Sequence, residues 1–293
     1  MDETTPDNIR KVPASAGAQW LIDGFALLKA SPGGFGVMGV LYGVFAAVMA
    51  GIVLLLPPAG FVVQTVWYLV APILTAGLVW AAHEVAAGRH VGVATYFEPF
   101  RQEKVPSLLA TLLPQLAGAV LIVALAFVLI GADNMRTMVA MFEKMREPGA
   151  QPDPALLASL PAGGVLLWML CSVVIGIAVF FITFVAIPAI MLGGKNVAAA
   201  LRDSWRACLN NLLAIVVLIV LIAIMFVGIA MLAGILGVII GLVAGQLAQA
   251  LVVQFTMMAV FAPVMAAAAV SAWRSMLGQE AVPPALPTGQ LQA

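Results

Sequence analysis

Apolar residues in this chain run in long blocks rather than recurring at every second or third position. Six blocks, at about 33–56, 60–83, 106–131, 163–192, 211–234 and 243–272, each reach the roughly 20 residues that a helix needs to cross about 30 Å of hydrocarbon. The last two are joined by apolar residues 235–242. A single helix over 211–244 would reach about 50 Å and overshoot the bilayer, so the pattern predicts a tight hairpin near Gly234–Gly241.

Between the blocks the period becomes helical. Leu21, Phe25 and Leu28 share one face before the first block, and Leu201, Trp205, Cys208 and Leu212 share one before the fifth, with Arg202, Asp203 and Arg206 interleaved. Before the third, Thr95 with Glu98 three residues on has the form of a capping box, and Pro99 falls in a first turn, where no helical hydrogen bond is lost. Each such stretch leads into a pair of blocks whose second arm carries a proline among apolar neighbours: Pro72, Pro188 and Pro263, read as helix kinks. The expected fold is therefore all-α: a polytopic integral membrane protein with six transmembrane helices as three repeated hairpins in a pseudo-threefold bundle. An amphipathic interfacial helix precedes each hairpin on the cytoplasmic side, with Trp20, Tyr96, Phe97 and Trp205 near headgroup level. One membrane domain covers 15–278, between a disordered amino end, 1–14, and a disordered tail, 279–293, "QEAVPPALPTGQLQA".

Composition moves the same way. The chain is 63% hydrophobic and 9% charged, against about 25% charged in soluble domains, and its mean hydropathy is +1.12. Thirteen basic and thirteen acidic residues cancel, so no basic field for nucleic acid exists. With six spans, Arg10, Lys11, Lys29, Arg89, Arg101, Lys104, Lys195, Arg202, Arg206 and Arg274 fall on one side and Arg136, Lys144 and Arg146 on the other. The positive-inside rule then makes both termini cytoplasmic. Residues 1–32 lack the apolar core and cleavage site of a secretory signal, so the first span is expected to stay as an anchor. Cys171 within a span and Cys208 on the cytoplasmic side are not expected to pair.

The sizeable outer insertion is 132–161. There Met135, Met138, Val139, Met141, Phe142 and Met145 cover one side of a helical wheel, and Arg136, Glu143, Lys144 and Glu147 the other. Thioethers invite copper(I), but no histidine or cysteine accompanies them, and an interfacial helix or partner surface accounts for the stripe.

The run "AIPAIMLGGKNVAAALRDSWRACLNNLLAIVVL", residues 186–218, and the early "RKVPASAGAQWLIDGFALLKASPGGF" resemble a family of uncharacterised proteobacterial inner-membrane proteins. More distantly they are similar to YciC-like proteins and to the membrane domain fused to some glycerophosphodiester phosphodiesterases. The resemblance implies fold and residence in a bacterial inner membrane, and brings no catalytic residues with it.

Candidate chemistry is sparse. Both histidines lie in "AHEVAAGRH", residues 82–90. A zinc protease helix needs His-Glu-x-x-His so that two imidazoles four apart reach one ion, and here Ala87 stands at the fifth position. His83 and His90 are about 10 Å apart along a helix axis, too far for one metal. His83 follows Pro72 by eleven residues, as Arg274 follows Pro263, so both belong where an arm meets the cytoplasm and a cationic or titratable group can snorkel. His83, Arg89, Arg202, Arg206 and Arg274 are the candidate headgroup contacts, and an ion pair of Glu84 with Arg89 or His83 is expected at the interface. Among polar residues in the spans, Gln115, Gln246, Gln249 and Gln254 are read as interhelical hydrogen bonds or as a polar path. Gly237, Gly241 and Gly245 form a small-residue stripe for helix packing or homodimerisation, and Gly39 and Gly43 a shorter one.

No catalytic or metal residues and no cofactor are expected. Two functions fit. One is a non-enzymatic inner-membrane protein that contacts lipids, or binds a protein partner at the cytoplasmic collar or the periplasmic loop, as a module of the envelope. The other is a small permease or channel for a hydrophobic or weakly polar solute.

Overall fold

The structure, a computed structural model, describes residues 9–144 and 160–278. The tail 279–293, part of the insertion 132–161 and most of the expected disordered amino end lie outside those residues. Within them the chain is helical and has no strand. The helices are α1 (Ala16–Ala30), α2 (Val37–Leu55), α3 (Gly60–Ala86), α4 (Glu98–Arg101), α5 (Val105–Ala110), α6 (Leu113–Leu129), α7 (Ala132–Lys144), α8 (Ala162–Thr183), α9 (Ala186–Met191), α10 (Val197–Asn210) and α11 (Leu212–Leu277). Five stretches are long and apolar enough to cross a membrane: Pro32–Leu55, Pro57–Ala86, Val105–Leu129, Ala162–Met191 and Leu212–Leu277.

The chain divides into two compact units, one from Leu112 to Phe181 and the other from the segments on either side of it. In the smaller unit α6 and α8 pair antiparallel. A Cβ built on Gly118 would lie 2.8 Å from Val179, and one on Gly164 2.1 Å from the Leu129 carbonyl. The Trp168 indole donates to the Ile122 carbonyl at 3.0 Å, which satisfies the one polar atom of that ring inside apolar surroundings. On α7, Arg136 and Asp133 form an exposed ion pair at 3.1 Å.

The larger unit is built around α11. Its 66 residues carry one non-helical position, Gly245, at φ 86° and ψ 176°, a conformation essentially restricted to glycine. There the chain doubles back: a Cβ on Gly237 would meet Val253 at 2.6 Å, and one on Gly241 the Gln249 side chain at 2.7 Å. The hairpin expected near Gly234–Gly241 is thus displaced to Gly245. Gly237 and Gly241 stay helical and make room for the returning arm, whereas Gly245 is the turn and not a member of the stripe. Away from the Gly245 turn, α11 packs on protein.

The protein it packs on is α1. A Cβ on Gly17 would sit 2.0 Å from the Ala214 carbonyl, and one on Gly24 2.6 Å from that of Val264. Seven residues apart, the two glycines lie on one helix face and touch the first and last parts of α11. This face, with Trp20 and Leu21 buried beside it, sets the position of α1. Ile22 and Phe25 stay exposed. Trp20 and Tyr96, expected at headgroup level, are instead core residues. The Trp20 indole donates to Ser275 Oγ at 2.9 Å, and Tyr96 lies over Gly77 and donates to the Met38 carbonyl at 2.6 Å. Phe97 and Trp205 are exposed.

The stretch before α5 is a 3₁₀ turn, Val93–Phe97, running into α4. Thr95 does not cap a helix over Glu98 as a capping box would; its hydroxyl accepts from the Gly92 N–H, and Glu98 faces Gln102 and Arg101. Gly39 and Gly43 of α2 receive the Ala259 and Phe255 carbonyls of the returning arm.

Proline positions shape the rest. Pro188 has no N–H and its ring excludes a helical carbonyl four residues back, so α8 ends and α9 restarts across Phe184–Val185. The freed Val185 N–H donates to Ser204 Oγ of α10 at 3.2 Å. Pro72 lies within α3 and Pro263 within the part of α11 that follows Gly245, both buried.

Candidate functional site

The amino-terminal segment is fixed by Asn211, which sits between α10 and α11 in a non-helical conformation. Its Oδ1 accepts from the Val12 N–H at 2.7 Å, and its Nδ2 donates to the Arg10 and Ala207 carbonyls at 3.1 and 3.0 Å. Arg10 N–H donates in turn to the Met276 carbonyl at 2.8 Å. Residues 10–12, expected within a disordered end, are therefore strapped across both ends of α11.

The strap closes one side of a cleft of about 650 Å³, whose lining includes Arg10, Ser15, Gln19, Trp20, Asp23, Ser271 and Arg274. Arg274 Nη2 lies 2.6 Å from His83 Nδ1. Arginine only donates, so Nδ1 is the acceptor and the ring proton sits on Nε2. The pair thus satisfies geometry without cancelling charge. Among the described residues neither Arg10 nor Arg274 has a carboxylate within ion-pair distance, and Asp23 is held by Gln19 Nε2 at 2.7 Å, with no cation on it. Two guanidiniums and one carboxylate therefore line a cleft without an oppositely charged partner among the described residues.

Neighbouring charges are already paired. Glu84 takes Arg89 in a bidentate bridge, 2.5 and 2.6 Å. Lys195 donates to the buried Asp203, whose other oxygen lies 3.7 Å from Arg202 Nε and has no hydrogen-bond partner among the described residues. Arg202 and Arg206 are exposed on α10. Cys208, on the same helix, is buried, and burial pushes its thiol up to about 12, against a smaller opposing effect of Ser204. It is a core residue and not a nucleophile. Burial likewise raises the Tyr96 phenol and keeps it a donor. No cluster of three or more metal-ligating side chains occurs among the described residues.

A second cavity, of about 300 Å³, is apolar except for Tyr42 and Thr75. Its walls come from all three proline-bearing stretches: Thr75 and Val79 of α3, Ile187 and Pro188 of α9, and Met258 to Ala269 of α11. None of Gln115, Gln246, Gln249 and Gln254 lines either cavity. Gln249 lies across Gly241, and Gln246 is exposed beside the Gly245 turn.

The proline spacing placed His83 and Arg274 at equal distances from a kink, and they are in contact. Asp23 and Asn211 join the site without a motif to mark them, and Arg10 enters the sequence pattern only as one of the cations that set orientation. Asp23 had a signal: it is the sole acid in α1, next to a close-packed glycine.

A helical chain with five membrane-length apolar helices and a charged cleft at helix ends is a membrane protein. It belongs to the family defined by the domain of unknown function DUF7847, which matches residues 18–278. No curated protein and no solved structure matches the chain, and the comparisons show no similarity to YciC-like proteins or to the phosphodiesterase membrane domain.

Proposed function

We propose that this protein crosses a bacterial inner membrane six times, with both termini in the cytoplasm, and holds phospholipid headgroups as a non-enzymatic module of the envelope. The observation that carries the reading is the cleft in which Arg10 and Arg274 stand without carboxylate partners among the described residues. Unpaired guanidiniums at a helix-bundle end are suited to bidentate phosphate recognition. The six crossings rest on the reversal at Gly245, which makes two arms of Leu212–Leu277, and the orientation on the excess of Lys and Arg on one side. Three repeated hairpins remain part of this reading, supported by the three proline-bearing stretches around one cavity.

Lipids that co-purify with the chain in native nanodiscs test it. Phospholipid retained by the wild type and depleted in the Arg10→Gln, Arg274→Gln double variant is the expected result; equal lipid in both would overturn the headgroup role. Reporter fusions after residue 150 and at the carboxyl end should report opposite sides of the membrane.

The apolar cavity favours a second reading, a permease for a hydrophobic or weakly polar solute. Under this reading the path would run past Tyr42, Thr75 and Pro188, which line the cavity, rather than past the glutamines. Filling it with Ala266→Leu would abolish transport under this reading and leave lipid retention unchanged under the first.

A further inference from the structure

We propose that the cleft of Arg10, Arg274 and Asp23 selects a zwitterionic headgroup bearing a primary ammonium, the phosphoethanolamine group of phosphatidylethanolamine; this rests on the headgroup reading above. Phosphate alone would leave the cleft half matched. The guanidiniums of Arg10 and Arg274 provide the donors for a phosphodiester, whereas Asp23 is an acceptor that an anionic headgroup would meet with repulsion. A ligand that pairs all three has one negative group and, a short linker away, one cation that can donate hydrogen bonds. Phosphoethanolamine is that arrangement. Phosphatidylglycerol carries hydroxyls where the cation should be, and the quaternary ammonium of phosphatidylcholine has charge but no N–H.

The three side chains are attached to fixed backbone. Arg10 is bonded on both sides of its peptide, to Met276 and Asn211. Asp23 adjoins Gly24, whose bare backbone rests on the Val264 carbonyl. Arg274 is oriented by His83 at 2.6 Å, a neutral acceptor that leaves its charge available. The cleft floor is closed by the buried Trp20, whose indole is committed to Ser275. Arg10 is exposed and Asp23 and Arg274 are half-buried, so discrimination comes from preorganisation and charge complementarity: a headgroup bearing both signs pairs all three side chains, and one bearing a single sign does not.

Native mass spectrometry of the full chain, titrated with phosphatidylethanolamine, phosphatidylcholine and phosphatidylglycerol of identical acyl chains, tests the assignment. Phosphatidylethanolamine should bind about tenfold more tightly than the other two, the value of one charge-assisted hydrogen bond. Asp23→Asn should remove that preference while leaving phosphatidylglycerol binding equal or stronger, and Asp23→Glu should restore it. Arg10→Gln, whose backbone strap is untouched, should weaken phosphatidylethanolamine and phosphatidylglycerol alike. Equal binding of the three lipids, unaltered by Asp23→Asn, overturns the selectivity and leaves the headgroup reading standing. Saturable binding of none by the wild type overturns both. Occupancy by soluble O-phosphoethanolamine with none by the lipid would make the ligand a free metabolite and overturn the lipid assignment.

Discussion

Asn211→Ala isolates what the amino-terminal strap contributes. The substitution removes the acceptor of the Val12 N–H and the donor to the Arg10 carbonyl, and leaves the Arg10 to Met276 backbone bond in place. Each lost bond is worth about 1 kcal/mol net, so local opening of residues 10–12 should become easier by about 2 kcal/mol, or about 30-fold in its equilibrium constant. The third bond, from Asn211 Nδ2 to the Ala207 carbonyl, is local to the α10–α11 junction and does not hold the strap. Amide hydrogen exchange of Val12 in nanodiscs reads the opening directly, because its N–H is protected by Asn211 alone. Asn210→Ala, the exposed neighbour, is the control and should leave that exchange unaltered. A Val12 exchange rate within threefold of wild type in Asn211→Ala would refute the strap. The same variant should weaken lipid retention, since Arg10, Val12 and Pro13 form part of the cleft wall.

Three further outcomes follow from the packing. Gly24→Ala drives a methyl group into the Val264 carbonyl and should destabilise the fold by about 1–3 kcal/mol, seen as a lower thermal midpoint; Gly33→Ala, where a Cβ meets nothing within 4 Å, should leave it unaltered. Tyr96→Phe removes a buried donor from the Met38 carbonyl and should cost about 1 kcal/mol by the same measurement. Cys208 ionises only near pH 12 when folded, against 9.0 for the free thiol. Maleimide labelling at neutral pH should therefore be slow until the chain unfolds. Because the unfolded thiol ionises first, stability should fall as pH rises from about 9 towards 12.

Spans are legible in sequence because hydrophobic length is a local property: apolar blocks and helices coincide to within a few residues from Pro32 to Met191. The error at the last hairpin came from the same rule. Bilayer thickness fixes how many residues must be apolar, yet it does not limit a helix whose end is covered by protein, and the Ala214–Leu218 turn is covered by Gly17. Gly234, Gly237, Gly241 and Gly245 are alike in sequence, and only the backbone shows that Gly245 alone has φ 86°.

The cleft was illegible for a different reason, since its charges come from residues 10, 23 and 274 and nothing periodic links them. The positive-inside rule reads Lys and Arg as a sum, in which Arg10 and Arg274 are interchangeable with any other cation and Asp23 does not count. An acid within an apolar helix asks a separate question, namely which cation meets it. The described residues offer none to Asp23, and none of their acids meets Arg10 or Arg274. Three charges with no oppositely charged partner among the described residues line one space of about 650 Å³, Arg10 exposed and Asp23 and Arg274 half-buried. Water serves such charges in a protein built only to pack, whereas in the proposed site a headgroup would supply the counter-charges.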